Sequence, residues 1–180
     1  MATQPIAEPL VSLDEYLNSD FQPDREFNDG VIEERNLGEF EHSFLQINLG
    51  TIFTVHIDDW GVFGLTEQRV QLSPKRCLIP DVAVLRMGTQ REPVLTLPPL
   101  IVIEIMSPKD SINEAHKKVK EYLDFGVENV WVINPGGRRK RAVYQGRRIG
   151  LELISSGQLT VPGTPILVEV HEIFDKLDRF

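Results

Sequence analysis

A chain of 180 residues with 41% hydrophobic and 26% charged side chains has the make-up of one ordinary globular domain over 1–180, with ample length for a real core. The single cysteine, Cys77, excludes an internal disulfide and a thiolate zinc cluster and points to a reducing, cytoplasmic setting; no apolar run approaches a membrane span and no signal segment opens the chain. A net charge of −8 argues against binding nucleic acid by bulk electrostatics, since phosphate contacts reward a basic face, and the one basic knot, Arg138, Arg139, Lys140 and Arg141, reads as a solvated turn.

Residues 1–10 lack periodicity and read as a loose arm. Ser12 and Glu15 fit a capping box, which predicts a short helix ending near Asn18. Pro23 closes that region. Asp29-Gly30, within 26–32, predicts a tight β-hairpin, because the pair supplies the positive φ angles such a turn needs. Over 39–60 the apolar residues Phe40, Phe44, Ile47, Leu49, Ile52, Phe53 and Val55 recur at roughly helical spacing and predict one long helix packed on a sheet, weakened at Gly50. Strands are expected at 65–72, 81–86, 100–106 and 129–134. The second and third are nearly continuous apolar runs, as in central strands covered on both faces. Between the last two, Ile112, Ala115, Val119, Tyr122 and Leu123 share one face of a helix over about 111–125 that stops at Gly126. Strand, helix and strand in that order predict a right-handed parallel crossover. Segments 142–145 and 148–154 read as a peripheral hairpin turning at Gly146-Arg147, and a short helix is expected over 170–177. The fold class is α/β, a mixed sheet with helices on its faces.

Two of these apolar strands carry an acid. Asp81 opens one and Glu104 interrupts the other. Desolvating a lone carboxylate costs several kcal/mol unless a cation or donor compensates. Alternation places Glu104 on the face of Leu100, Val102 and Met106, and Asp81 on that of Ala83 and Leu85. If the strands are neighbours, the carboxylates meet at one sheet edge as hard oxygen ligands suited to Mg²⁺ or Mn²⁺ rather than zinc. The plainer alternative makes Asp81 a turn cap and Glu104 the partner of a helix lysine. Lys117, Lys118 and Lys120 lie on the following helix. Lys118, between Ala115 and Tyr122 at the edge of the apolar face, can send its stem along the core and its ammonium to the site. Lys120 sits at the other edge, and periodicity alone does not choose between them. His42, near the start of the long helix, could hydrogen-bond a metal-bound water or a phosphate, or serve no special role. Glu67 reads as an exposed strand acid with a lesser claim as a ligand. No phosphate-cradling glycine loop or nucleophile elbow is present, and nothing activates Cys77.

The strings Pro80-Asp81-Val82 and Pro98-Pro99-Leu100-Ile101-Val102-Ile103-Glu104-Ile105-Met106-Ser107-Pro108, then Lys118-x-x-x-Tyr122-x-x-x-Gly126-Val127-x-x-Val130-Trp131-Val132-Ile133-x-Pro135, resemble the Putative restriction endonuclease family of the PD-(D/E)XK nuclease superfamily. The resemblance covers most of the chain, from the Asp29-Gly30 hairpin and His42 to Ile173-Phe174. It implies a restriction-endonuclease-like mixed sheet flanked by helices, with an N-terminal β-hairpin extension. It also implies a divalent-metal site in which Asp81 and Glu104 match the metal-binding acids, Lys118 the helix lysine, and His42 a histidine at the start of the long helix. The ordinary superfamily motif places lysine two residues after the second acid, where this chain has Met106. Asn134 and Glu114 also stand where aspartate is common. The activity implied is Mg²⁺- or Mn²⁺-dependent hydrolysis of DNA phosphodiesters, with homodimers suited to paired cuts on antiparallel strands. Two rivals stand beside it: a silent nuclease-fold binding module, favoured by the acidic balance and Met106, and a metal-dependent hydrolase of RNA or another phosphodiester.

Overall fold

The structure, a computed structural model, describes residues 10–36, 38–136, 141–147, 150–154 and 157–180. Most of the expected arm, and Arg138, Arg139 and Lys140 of the basic knot, therefore lie outside the described residues. Arg141 pairs with Asp178 and lies over the Phe174 ring, as a structural charge would.

In chain order the elements are α1 (Leu13–Leu17), β1 (Arg25–Asn28), β2 (Val31–Glu34), α2 (Phe40–Val55), α3 (Ile57–Trp60), β3 (Val62–Thr66), β4 (Val70–Ser73), β5 (Arg76–Leu78), β6 (Val82–Arg86), β7 (Ile101–Ile105), α4 (Ile112–Phe125), β8 (Asn129–Asn134), β9 (Ala142–Arg147), β10 (Gly150–Ile154), β11 (Gln158–Thr160), β12 (Leu167–Glu169), α5 (Val170–Phe174) and a closing 3₁₀ turn (Leu177–Arg179). A six-stranded sheet runs in the order β10-β9-β8-β7-β6-β3, with β7 and β8 parallel across α4 and every other pair antiparallel. A second sheet, β2-β1-β5-β4, stands beside it, and β11-β12 forms a small third.

Alternation along β7 divides the core in two. Ile101, Ile103 and Ile105 join Leu45, Leu49 and Phe53 of α2, with Trp131 and Ile133 of β8. Val102 and Met106 turn the other way, onto Val119 and Tyr122 of α4 with Val130 and Val132. Ser111 and Glu114 form a capping box that starts α4, and Gly126, at φ 111°, ends it. The Ser12–Glu15 box starts α1 as its sequence requires. Asp29 and Gly30 take φ of 46° and 91°, and the hairpin turns there. Among the described residues no helix is long and apolar enough to cross a membrane.

Several expected elements differ. The long helix over 39–60 is two, because the chain leaves helical geometry at His56 before α3. Its buried face runs through His42, Leu45, Leu49, Ile52 and Phe53, so Phe40, Ile47 and Val55 point to solvent despite their spacing. The strand over 65–72 divides at Glu67, whose φ of 56° sends the chain from the central sheet into the second one. The 142–154 hairpin is no peripheral appendage, since β9 pairs with β8 along 130–134 and extends the central sheet. Gly146 is not its turn: it pairs with Leu151, and a Cβ there would meet Val119 Cγ1 at 2.6 Å. That glycine lets α4 approach the sheet, and the β9–β10 ladder runs on past it to Arg147 and Gly150. Strands β5, β11 and β12, each of three residues, carry too little pattern to have been anticipated.

Candidate active site

Register brings the two acids together. β6 and β7 pair Ala83 with Val102 and Val82 with Ile103, and one further step sets Asp81 opposite Glu104 on one face. Asp81 stands just before β6, where its carbonyl accepts from the Glu67 N–H at 3.4 Å and its carboxylate lines the cleft. Both acids line a cleft of about 540 Å³ together with His42, Lys118, Arg35 and Glu26.

Asp81, only 2% exposed, is surrounded by donors. Its Oδ2 accepts the Ile105 backbone N–H at 2.6 Å and lies 3.3 Å from His42 Nε2. Its Oδ1 accepts from Arg35 Nη2 at 3.0 Å. Arg35, just beyond β2, also holds Glu67 at 3.0 Å, and Gln46 of α2 donates both to Glu67 Oε1 and to the Asp81 carbonyl. Burial would lower the His42 pKa, but the hydrogen bond and charge of Asp81 outweigh it and raise it.

Glu104 has fewer compensations. Tyr122 donates its hydroxyl to Oε1 at 2.7 Å, and the Lys118 ammonium stands 3.7 Å from Oε2. Burial, with the charges of Asp81 and Glu26 adding to it, pushes the Glu104 carboxyl up to about 7 against the pull of Lys118. Lys118 itself hydrogen-bonds Glu26 Oε1 at 2.7 Å. Desolvation alone would lower its pKa, yet Glu104 and Glu26 raise it, so the ammonium stays protonated. Tyr122 is raised by burial and by Glu104, which keeps its hydroxyl a donor.

The structure thus brings Asp81, Glu104, Lys118 and His42 into one cleft. It separates Lys118 from Lys120, which points to solvent and pairs with Asp124. Lys117 lies on the cleft rim, and the Glu67 carboxylate meets the cluster through Arg35 and Gln46. Cys77 is buried, and burial raises its thiol pKa. Three participants escaped the sequence reading. Glu26, 4% exposed on β1, carried the same signal as Glu104, an acid beside buried apolar residues, but lay in a hairpin too short to fix its facing. Arg35 follows a strand with nothing to mark it. Tyr122 was placed correctly on the apolar face, but its hydroxyl gave no sign of its partner.

Among the described residues no three His, Cys, Asp or Glu side chains gather closely enough to cage an ion unaided. Two convergent carboxylates leave the remaining positions to water and substrate oxygens, which suits Mg²⁺ and does not suit zinc.

The family model described as "Putative restriction endonuclease" (Uma2) matches residues 13–170. The chain belongs to that family. A crystal structure of a putative nuclease of DUF820 from Anabaena variabilis superposes with a TM-score of 0.79 at 22% identity, covering 93% of this chain and 99% of that one. The restriction endonuclease-like family member described here therefore shares its fold with a solved protein over nearly all of both chains. No curated protein matches the sequence.

Proposed function

We propose that the chain is a metal-dependent endodeoxyribonuclease of the PD-(D/E)XK type. The observation that carries the reading is the convergence of Asp81, Glu104 and a protonated Lys118 in one open cleft at the end of β6 and β7. Membership of a family described as restriction endonucleases supports it.

Asp81 and Glu104 would hold Mg²⁺ or Mn²⁺, which supplies Lewis acidity and charge neutralisation at the scissile phosphate. The chain's own residues prepare the rest. Tyr122 fixes Glu104 Oε1, and the Ile105 N–H with His42 fixes Asp81 Oδ2, so both carboxylates face the cleft in set orientations. Lys118 is a donor and not a base, because its ammonium keeps its proton. It orients the attacking water and stabilises charge on the phosphoryl oxygens as that water adds in line and the 3′-oxygen leaves. Met106 cannot serve, since it packs against Val102 and Tyr122 in the core beneath α4. A twofold dimer would serve paired cuts on antiparallel strands, and sedimentation of the purified chain tests that.

The test is cleavage of plasmid and linear DNA by the purified chain with Mg²⁺ or Mn²⁺. Cleavage should require metal and disappear in Glu104→Ala, with the melting temperature largely retained. Metal-independent cleavage, or activity that survives Glu104→Ala, overturns the reading. One observation favours a silent binding module instead: Arg35 already occupies Asp81 Oδ1. Calorimetry showing no uptake of Mg²⁺ or Mn²⁺ would select that alternative, and cleavage confined to RNA or small phosphodiesters would select the third.

A further inference from the structure

Lys118 reaches the cleft from a helix, so something must aim a long flexible side chain that the usual strand position would aim by itself. The closest partner of its ammonium is Glu26 Oε1 at 2.7 Å, a full ångström nearer than Glu104 Oε2 at 3.7 Å. Glu26 belongs to β1, in the second sheet, and is 4% exposed. In the β1–β2 register it stands directly opposite Glu33, a like-charge pairing that costs stability unless a cation intervenes. Arg76 of β5 provides one, reaching Glu33 at 2.7 Å, Glu26 at 4.0 Å and Glu121 of α4 at 2.6 Å. Glu121 lies one helical turn after Lys118. Helix α4 is therefore tied to the second sheet at two points, Arg76–Glu121 and Glu26–Lys118, and the ammonium is held between sheets.

Resting on the nuclease reading, we propose that Glu26 is the positioning residue for Lys118, holding its ammonium beside Glu104. It acts through the lysine, without touching substrate or metal. The paired acid and lysine form a unit in which the second sheet supplies the aim and α4 supplies the charge.

The test is Glu26→Gln in the full chain, alone and combined with Lys118→Met. Cleavage turnover should fall by about 10–100-fold, the usual cost of losing an orienting partner, while KM, Mn²⁺ affinity by calorimetry and melting temperature hold. In the Lys118→Met background the same change should cost nothing more, because the two residues act as one. A further loss in that background, or weakened Mn²⁺ binding, overturns the proposal. A readout free of activity runs alongside: the ¹⁵N-lysine ammonium signal of Lys118 should vanish or shift in Glu26→Gln and persist in Glu33→Gln. If the wild type cleaves no DNA, the nuclease reading fails and this signal still decides the role of Glu26. A Lys118 signal unmoved by Glu26→Gln overturns it.

Discussion

The two acids of the cleft look alike in sequence and live differently. Asp81 rests in a neighbourhood of donors, with a backbone N–H, a guanidinium and an imidazole on its two oxygens. Glu104, directly across the strand pair, has one hydroxyl and a lysine at 3.7 Å that is engaged more closely elsewhere. The lesson is that two acids facing each other across one strand pair differ most in the donors around them. The Asp81 side is a satisfied structural joint, while the Glu104 side is held out of balance and pushed up to about 7.

The comparison can be broken most forcefully by removing Asp81. Asp81→Ala leaves the Ile105 N–H and the mostly buried Arg35 short of their acceptor, and should cost about 3 kcal/mol in chemical denaturation near pH 5, where Glu104 still carries its proton. A change under about 1 kcal/mol would show that Asp81 is no more a joint than its neighbour. Glu104→Gln should behave oppositely. Folded Glu104 keeps its proton to about pH 7, whereas the unfolded side chain releases it near the ordinary value of 4.5. The folded state therefore binds more protons across that window, and wild-type stability falls as pH rises through it. The variant should lose that fall and overtake the wild type above neutrality by up to about 3 kcal/mol. His42, raised by Asp81, adds a smaller slope of the same sign above its ordinary 6.5, and this slope should survive in Glu104→Gln. Mg²⁺ should flatten the Glu104 slope, since a bound cation favours the carboxylate. Tyr122→Phe removes the one close donor to Glu104 and should cost about 1 kcal/mol while moving its titration further upward. Lys120→Ala sharpens the contrast at the small end. Its exposed pair with Asp124 should contribute under about 0.5 kcal/mol, and cleavage should not change.

Much of this was legible beforehand, for identifiable reasons. β8 was bounded correctly because a continuous apolar run ends in Asn-Pro, and the acids stood out because charge is rare in buried strands. The crossover and the Asp-Gly hairpin followed from local chemistry. Glu26 and Arg35 did not, because what matters about them is a partner 92 residues away for one and 46 for the other. The break at Glu67 was hidden because a non-glycine residue adopts a positive φ, a choice set by ties to Arg35 and Gln46 and not by its own preference. Lys118 and Lys120 were indistinguishable by periodicity, and their partners separate them: Glu26 and Glu104 for the first, Asp124 for the second.

The packing of Met106 constrains where a lysine can stand. Its side chain, 4% exposed, fills the space between β7 and α4 where the ordinary motif would carry a lysine. Returning a lysine to that spot by one substitution would force a second ammonium into an apolar layer while the first still occupies the cleft. Removing the helix lysine first would leave buried Glu26 with only the more distant Arg76 as counterion. Each single change thus yields a poorer protein, so the lysine on the helix and the apolar side chain on the strand are exchangeable only together.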